Sequence, residues 1–526
     1  MPKTDPLARW IQSLHAAWPG NWPDLEPTSF VRTLNDHRWE PTFRDRLVVG
    51  RGRDAPLENS PLARAIDTLQ RRDCSSMTLT RAALDRLHDA ARRYHAVISL
   101  DAERALAGAS AADKRRRRGD QTPALLGLPL AHKALFYRRG LACSGGSDAR
   151  NGFIPRVTAT ALDRLDAAGA IDLGQLHTTE AALDPSGLCS SIGPCRNPWD
   201  TAYVPGGSSS GSAVAVATRA ITAALGSDTG GSVRIPAALC GVTGLKPTYG
   251  CISRHGVMPV SHTCDHVGIL ASSARDCGIL LSIIAGHDDH DPTTWNHFPD
   301  LSELPRQTRL DGLRIGVPQA FFHVTVAPSL RANLDASLQT FAKLGAELRE
   351  VPMFDYAQLN ALAAIVLHAE ASAVHAVSLR QPDDHYSEQI RQRLAIGLEI
   401  PAQAYAQANA LRGHVLSRFM KTVMDDIDVL HLPVTAIATP EIETADGRST
   451  IDASALGELT RMTRPFNYLG LPALVLPCGF GVSRNGRPLP QGMQLVGRPF
   501  SETSLIQIGD AYQQVTDWHQ RQPVDQ

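Results

Sequence analysis

A loop with two adjacent glycines and a serine is the segment best suited to chemistry. It consists of Asp228, Thr229, Gly230, Gly231 and Ser232. Because glycine adopts backbone angles closed to other residues, the pair lets several N–H groups turn toward one point, which suits an oxyanion. Pro236 indicates that a helix begins just beyond, since its missing N–H costs little in a first turn. The N-terminus of that helix places partial positive charge beside Ser232.

A second loop rich in glycine and serine precedes the first, and an alanine-rich helix joins the two. It contains Gly207, Ser208, Ser209, Ser210 and Gly211. These five residues match G-x-S-x-G, which would make Ser209 the nucleophile of an α/β-hydrolase. The serines follow Pro205 and a glycine pair instead of a clear strand, so the strand-turn-helix context of a nucleophile elbow is poor.

The two loops together resemble the amidase signature family. The first is similar to the family's Gly-Gly-Ser-Ser-Gly-Gly-Ser, and the second to its Asp-Thr-Gly-Gly-Ser followed by an arginine and a proline, here Arg234 and Pro236. Residues 127–133 resemble the family's lysine strand, and 465–467 and 492–497 resemble its closing strands. The resemblance covers most of the chain and leaves out only the N-terminal segment 1–58.

The resemblance implies a catalytic triad of two serines and a lysine, with one serine in a cis peptide bond. Ser232 takes the position of the nucleophile, and Ser208, which precedes it by the separation usual in the family, takes that of the bridging serine. Lys133 takes the position of the base. The backbone N–H groups implied for the oxyanion hole are those of Thr229, Gly230, Gly231 and Ser232.

The chemistry explains why these residue types are needed. A serine hydroxyl attacks an amide only if a base removes its proton, and lysine is a base only when neutral. Because a free lysine titrates near ~10.4, Lys133 should be buried, so that desolvation lowers its pKa by roughly three units. Ser208 can then relay the proton and later protonate the departing amine. This chemistry requires no cofactor.

Charged and polar neighbours are expected to support the site. Asp228 and Arg234 should cap the helix or brace the loop as an ion pair, with Ser209 supporting them. His132 is adjacent to Lys133, but adjacent side chains of a strand point to opposite faces, so only one can face Ser208. The acidic and histidine-rich segment 287–291 could ligate a metal, although its place after Gly286 favours a solvent loop, and no metal site is predicted.

Three positions depart from the family pattern. Ser210 stands where glycine is more usual, and Ile269 replaces a common proline. Ala134 follows Lys133 where many relatives carry aspartate, so the bracing of the lysine is expected to differ.

Hydrophobic periodicity indicates an α/β fold. A helical layer is expected from Ser60 to about Ala112, and the basic run 114–118 should be a solvated turn at a helix C-terminus. Thr160–Ala168 looks helical. The short apolar runs predicted as strands are Ala170–Leu173, Leu313–Val317, Val429–Leu432 and Ala473–Leu476. The resemblance implies a large mixed sheet covered by helices on both faces.

Composition limits location and partners. The 526 residues include 52 lysines and arginines against 53 acidic residues, so no global field steers the chain to nucleic acid or to an anionic membrane. Nine scattered cysteines are expected to be reduced core residues. No apolar run approaches the length of a membrane span, so we expect a cytoplasmic protein that acts on a small-molecule amide.

Three regions are expected along the chain. Residues 1–58 form an extension that contains Trp10, Trp18, Trp22 and Trp39, residues 59–520 form the amidase signature domain, and 300–460 should shape substrate specificity. The tryptophans should either dock on the helical layer or form a two-fold interface, and we favour a homodimer.

Two functions fit this pattern best. The favoured one is a stand-alone hydrolase of carboxylic amides, and the alternative is the glutaminase subunit of a tRNA-dependent amidotransferase. A basic stripe for tRNA contact is not evident. Carbamates and urea-type compounds undergo the same acyl chemistry and stay open as substrates.

Overall fold

The structure, a computed structural model, describes residues 6–17, 30–35, 60–120, 122–295, 308–318, 326–352, 355–381, 385–445 and 448–523. The helices are α1 (Pro6–Ala17), α2 (Phe30–Leu34), α3 (Pro61–Arg71), α4 (Ser76–Tyr94), α5 (Ala102–Arg118), α6 (Thr160–Ala167), α7 (Ser210–Ala217), α8 (Arg234–Cys240), α9 (Ala274–Ile284), α10 (Pro328–Lys343), α11 (Tyr356–His375), α12 (Glu388–Leu398), α13 (Ala402–Ala410), α14 (Arg412–Thr422), α15 (Ala453–Arg461), α16 (Arg464–Tyr468) and α17 (Glu502–Val515). The strands are β1 (Val97–Leu100), β2 (Pro129–Lys133), β3 (Ile171–Leu176), β4 (Ala223–Asp228), β5 (Thr243–Lys246), β6 (His266–Ala271), β7 (Arg314–Val317), β8 (Glu347–Glu350), β9 (Val429–Pro433), β10 (Glu443–Ala445), β11 (Arg448–Thr450), β12 (Ala473–Val482) and β13 (Pro488–Gly497).

One large mixed sheet organises the fold. Its order is β1-β3-β2-β4-β6-β5-β12-β13-β9-β7-β8, and β10 and β11 form a separate ribbon. Strand β2 is parallel to β3 and β4, and β7 is parallel to β8 and β9, whereas the other neighbours in the large sheet are antiparallel. The predicted α/β fold with a large mixed sheet is confirmed.

Helices cover both faces of this sheet. Successive residues of a strand point to opposite sides, and in the central strands both sets are apolar and must be buried. Leu225 and Ile269 pack in one core cluster, which includes residues of α9 and α17. Their neighbours Ala224 and Leu270 belong to a second cluster, with residues of α7 and α8. The central strands are therefore buried on both sides and positioned rigidly.

The helix predicted over 160–168 and the four predicted strands are present, although β12 continues beyond its predicted end. Residues 465–467, which resemble a closing strand in sequence, instead lie in α16, where Pro465 occupies the first turn of the helix. The helical layer expected from Ser60 to about Ala112 is interrupted by β1.

The basic run 114–118 does not lie wholly in solvent. It ends α5, and Gly119 follows with a φ of 76° as the left-handed C-cap. Arg116 is buried, and its guanidinium donates to Asp113 Oδ1 and to the carbonyl of Leu126. One arginine of the run is therefore buried, and it donates to the backbone carbonyl of Leu126.

The N-terminal helices dock on the second half of the chain. Trp10 of α1 stacks on His368 of α11, with ring centroids 5.4 Å apart, so it does not use the helical layer that begins near Ser60. Phe30 of α2 lies under the guanidinium of Arg412, whose Cζ is 3.8 Å from the ring centroid. The other tryptophans of the extension, Trp18, Trp22 and Trp39, lie outside the described residues. The two-fold interface stays a prediction.

Two further features concern buried apolar residues. Among the described residues, α11 alone is long and apolar enough to cross a membrane, but 61% of its most apolar window is buried, as in the core helix of a globular protein. All nine cysteines are free, and only Cys74 and Cys189 are not fully buried. The free and mostly buried cysteines agree with the expectation of reduced thiols in the core.

Candidate active site

The candidate residues gather at one edge of the sheet. Lys133 is the last residue of β2, and Asp228 is the last of β4. Because these strands are parallel neighbours, their carboxyl ends open at the same edge, where α/β proteins bind ligands. The loop from Thr229 to Ser232 leaves this edge and leads into α8.

Lys133 is held between two serines. Its side chain is fully buried, and Nζ donates hydrogen bonds to Ser208 Oγ at 2.6 Å and to Ser227 Oγ at 2.9 Å. The peptide bond between Gly207 and Ser208 is cis, as the family resemblance implies. Ala134, also buried, offers no carboxylate, and Ser227 holds the amine in place.

Burial changes the protonation of Lys133. Desolvation lowers the pKa of the amine from 10.5 to about 7, although the charges of Asp228 and Asp265 partly oppose this shift. A lysine with this pKa is neutral in a large fraction of molecules near pH 7. It can therefore act as a proton acceptor, as the sequence predicts.

The serine loop is anchored to the nucleophile loop. The N–H of Ser209 donates to the carbonyl of Ser232 at 3.1 Å, and Ser209 Oγ donates to the carbonyl of Ser227 at 3.2 Å. Ser209 is fully buried, whereas Ser232 is partly exposed. This arrangement gives Ser209 a supporting position and gives Ser232 access to a ligand.

An ion pair between Asp228 and Arg234 braces the nucleophile loop. Both side chains are fully buried, and Arg234 Nη2 lies 3.0 Å from Asp228 Oδ1. The guanidinium also donates to Asn467 Oδ1 at 2.7 Å and to Gln494 Oε1 at 3.2 Å. Burial disfavours the charged carboxylate, but Arg234, Lys246 and Asn467 together outweigh this effect and hold the pKa of Asp228 well below its usual value.

The backbone of the loop offers fewer free N–H groups than the sequence suggests. The N–H of Gly231 donates to Asp228 Oδ1 at 2.9 Å, and those of Val233 and Arg234 at the start of α8 donate to Oδ2 of the same carboxylate. Those of Thr229, Gly230 and Ser232 have no acceptor within the described part of the chain. Three of the four N–H groups predicted for the oxyanion hole are thus not engaged by the described residues.

Gly231 shows why a glycine is needed in this loop. Its φ is 128°, which L-residues with a side chain rarely adopt. A β-carbon at this position would overlap the side chain of Thr463. Thr463 itself donates to the carbonyl of Gly230 at 2.6 Å, so the loop is also fixed from α16's side.

Two other candidate groups are engaged elsewhere. His132 points away from Ser208, and its Nδ1 lies 3.1 Å from Asp172 Oδ1. In segment 287–291, His287, Asp289 and His290 are exposed, as expected of a solvent loop. Asp288 differs, because it is buried and accepts a hydrogen bond from Ser253 Oγ, so this carboxylate braces the loop. Within the described ranges, no group of three or more histidine, cysteine or acidic side chains could hold a metal ion.

Sequence reasoning missed Ser227, although it contacts the lysine directly. A polar residue at the end of the otherwise apolar strand β4 was the available signal. A cavity of about 250 Å³ also reaches this residue and Thr229, and its other walls are formed by residues 254–262 and Asp265. His290 and Asp291 also line this cavity.

The chain is similar to several known proteins. The Amidase family model matches residues 78–506. The glutamyl-tRNA(Gln) amidotransferase A subunit of Roseiflexus castenholzii is 38% identical over 490 residues, which cover 89% of this chain and 98% of that protein. A solved structure of a vestigial protein complex that reveals the evolutionary origins of an s-triazine catabolic enzyme is 32% identical, with a TM-score of 0.77 and coverage of 86% of this chain and 98% of that one. The peptide amidase of Stenotrophomonas maltophilia is 28% identical, with a TM-score of 0.73 and coverage of 89% and 99%.

Proposed function

The chain belongs to the amidase signature family, and we propose that it hydrolyses a carboxylic amide through an acyl-enzyme on Ser232. Amide hydrolysis follows from the family. The assignment of Ser232 as nucleophile, Ser208 as bridge and Lys133 as base is the proposal.

In the proposed mechanism, Ser232 Oγ attacks the amide carbon while its proton passes to Ser208, whose own proton passes to neutral Lys133. The N–H groups of Thr229, Gly230 and Ser232 stabilise the oxyanion that forms. The bond between carbon and nitrogen then breaks as Ser208 protonates the leaving nitrogen and regains a proton from Lys133. Water attacks the acyl-enzyme by the same relay and releases the carboxylic acid.

One observation carries this proposal. The fully buried Lys133 amine lies 2.6 Å from Ser208 Oγ, and the backbone of the adjacent Ser209 is bonded to that of Ser232. Burial of the amine away from a hydrogen-bonded carboxylate lowers its pKa, so that the neutral form, which a general base requires, is well populated near pH 7. The other candidate base, His132, is bonded to Asp172 instead.

The replacement Ser232→Ala tests the nucleophile. It should lower kcat/KM by about three orders of magnitude or more while the protein stays folded. A panel of aryl amides, short aliphatic amides, glutamine and carbamates provides the substrates, and product release is the measurement. Ser282→Ala, which alters an exposed serine of α9, is the matched control and should keep full activity.

Covalent labelling gives an independent measurement. A fluorophosphonate probe followed by peptide mapping should modify Ser232. Modification of Ser209 together with an active Ser232→Ala variant would contradict the proposal and support the nucleophile-elbow alternative.

A second candidate function is the glutaminase subunit of a tRNA-dependent amidotransferase. The observation that favours it is the 38% identity to one such protein over nearly its full length. Affinity purification of the tagged chain from its native cells separates the candidates. Recovery of stoichiometric partner subunits supports the second, and full amidase activity of the chain alone supports the first.

The remaining predictions on organisation complete the proposal. We propose that residues 59–520 form the catalytic domain and that 300–460 shape specificity, since Leu367 of α11 borders the oxyanion loop at Gly230. Residues 1–58 form an extension to this domain. The cytoplasmic location and the homodimer are part of the same proposal, and light scattering measures the latter.

A further inference from the structure

Arg464, the first residue of α16, borders the oxyanion loop. If Gly230 carried a β-carbon, that atom would lie 3.8 Å from Arg464 Cγ, 3.9 Å from Arg464 Nε and 3.3 Å from Leu367 Cδ1. Because Gly230 has no side chain, the arginine stands directly across from the loop that leads to Ser232. A group bound at this loop is therefore within reach of the guanidinium.

Among the described residues, the hydrogen-bond acceptors of Arg464 are neutral. Nη2 donates to Thr460 Oγ1 at 2.6 Å, and Nη1 is 3.5 Å from Asn360 Oδ1. The Nε atom is buried and has no acceptor among the described residues. A buried donor without an acceptor costs free energy, and this cost is larger when the donor is charged.

The charge of the Arg464 guanidinium is not balanced by a nearby negative charge among the described residues. Within the described part of the chain, the one charge found to act on it is that of Arg393, which has the same sign. Burial and this repulsion lower the pKa of Arg464 to about 10, so the guanidinium is still cationic near pH 7. Arg393 is itself paired with Asp184 at 3.4 Å. The buried Arg234 likewise has a carboxylate partner, so Arg464 differs from both.

We propose that Arg464 binds a carboxylate carried by the acyl part of the substrate, which would make the monoamide of a dicarboxylic acid the preferred substrate class. This inference rests on the function proposed above. The leaving nitrogen must lie beside Ser208, which protonates it, whereas Arg464 faces Gly230 of the oxyanion loop and is hydrogen-bonded to residues of α11 and α15. The anion therefore belongs to the acyl group and not to the amine.

The same surroundings disfavour an α-amino acid amide. The groups found to act on Arg464 among the described residues are neutral or cationic, so an α-ammonium group bound beside this guanidinium would gain no ion pair from them. Glutamine and glutaramic acid differ only by that ammonium group. Pentanamide has the same carbon chain but lacks the carboxylate.

These three amides provide the test with the full-length enzyme. The wild type should hydrolyse glutaramic acid with a kcat/KM about tenfold or more above that for pentanamide and for glutamine. Arg464→Met should lower kcat/KM for glutaramic acid by about 10- to 100-fold and leave that for pentanamide within about twofold. Arg464→Lys should keep part of the preference because it keeps the charge. Arg461→Met removes a neighbouring arginine paired with Glu458, and it should change neither rate.

An equal loss for glutaramic acid and pentanamide in Arg464→Met would show a purely structural role and overturn the inference. A wild-type preference for pentanamide or for glutamine would also overturn it. Urea denaturation of each variant checks that the protein is folded, and Arg464→Lys provides the comparison if Arg464→Met is unstable.

A binding measurement separates this inference from the proposed function. The dicarboxylates from malonate to adipate should slow fluorophosphonate labelling of Ser232, and Arg464→Met should remove this protection. If Ser232 is labelled but no dicarboxylate slows the reaction, the inference fails and the proposed nucleophile stands. If Ser232 is not labelled while calorimetry detects dicarboxylate binding that Arg464→Met abolishes, the nucleophile assignment fails and the anion site stands.

Discussion

Replacing Lys133 with methionine tests the proton relay through two pH dependences that arise from one pKa. The lysine is fully buried, and burial lowers the pKa from 10.5 to about 7. At about 1.36 kcal/mol per pH unit, this favours the neutral amine by about 5 kcal/mol. Near pH 7 about half of the molecules hold a neutral Lys133, whereas an ordinary lysine is neutral in roughly one molecule in 3000.

The first dependence is that of activity. In the wild type, kcat/KM should rise with pH through a midpoint near 7 and then level off, because only the neutral amine accepts the proton. Lys133→Met should lose this limb and lower turnover by about 100-fold or more. Ammonia release from a saturable amide, measured from about pH 5.5 to 9, records the profile. Near-normal turnover with the same limb in Lys133→Met would refute the relay and make His132 the candidate base.

The second dependence is that of stability. A lysine whose pKa is lower in the folded state destabilises the protein fully below the folded pKa, and the effect disappears as pH rises through the unfolded pKa of 10.5. The free energy of unfolding of Lys133→Met relative to wild type should therefore fall by about 2 kcal/mol between about pH 7 and 9. The lost hydrogen bonds to Ser208 and Ser227 shift the whole curve but not its slope. A difference in urea stability that is flat over this range would refute the lowered pKa.

Three further variants test the scaffold of the site. Arg234→Met leaves Asp228 buried without its partner and should reduce the free energy of unfolding, measured with urea, by about 3–5 kcal/mol; a smaller loss than that of an exposed ion pair would contradict the bracing role. Gly231→Ala forces a side chain into a left-handed backbone and should cost about 1–3 kcal/mol and most of the activity, whereas the matched Gly457→Ala, with nothing within 4 Å of the added methyl group, should be neutral or stabilising. Trp10→Ala removes the ring stacked on α11 and should lower stability by about 1–3 kcal/mol in the same assay; an unchanged value would mean that α1 does not dock there.

Local sequence signals account for much of the fold. The helix predicted over Thr160–Ala168 is α6, and the strand predicted over Val429–Leu432 is β9. Such elements can be predicted because the pattern of apolar residues and turns that defines them lies within a few neighbouring residues. The two glycine and serine loops likewise identify the candidate site, because few structural roles require so many small residues in one segment.

Contacts between distant segments could not be predicted in the same way. Ser227 contacts Lys133 because β2 and β4 are parallel neighbours in the sheet. The sequence of neither strand indicates which strand it pairs with. Arg464 approaches Gly230 from a helix near the other end of the chain, and no local pattern in either segment indicates that they meet. The hydrogen bond from the Gly231 N–H to Asp228 forms only in one conformation of the loop. Contacts with the rest of the folded protein determine that conformation.

The docking of α1 on α11 has a consequence for the order in which the protein is made. The ribosome releases Trp10 first, but its partner His368 lies in the second half of the chain, so at ordinary rates of synthesis it follows only after a delay on the order of tens of seconds. During that time the apolar face of α1 has no surface to cover it. Helix α1 therefore cannot dock until α11 has been synthesised, and a chain truncated before α11 would present α1 to chaperones and proteases.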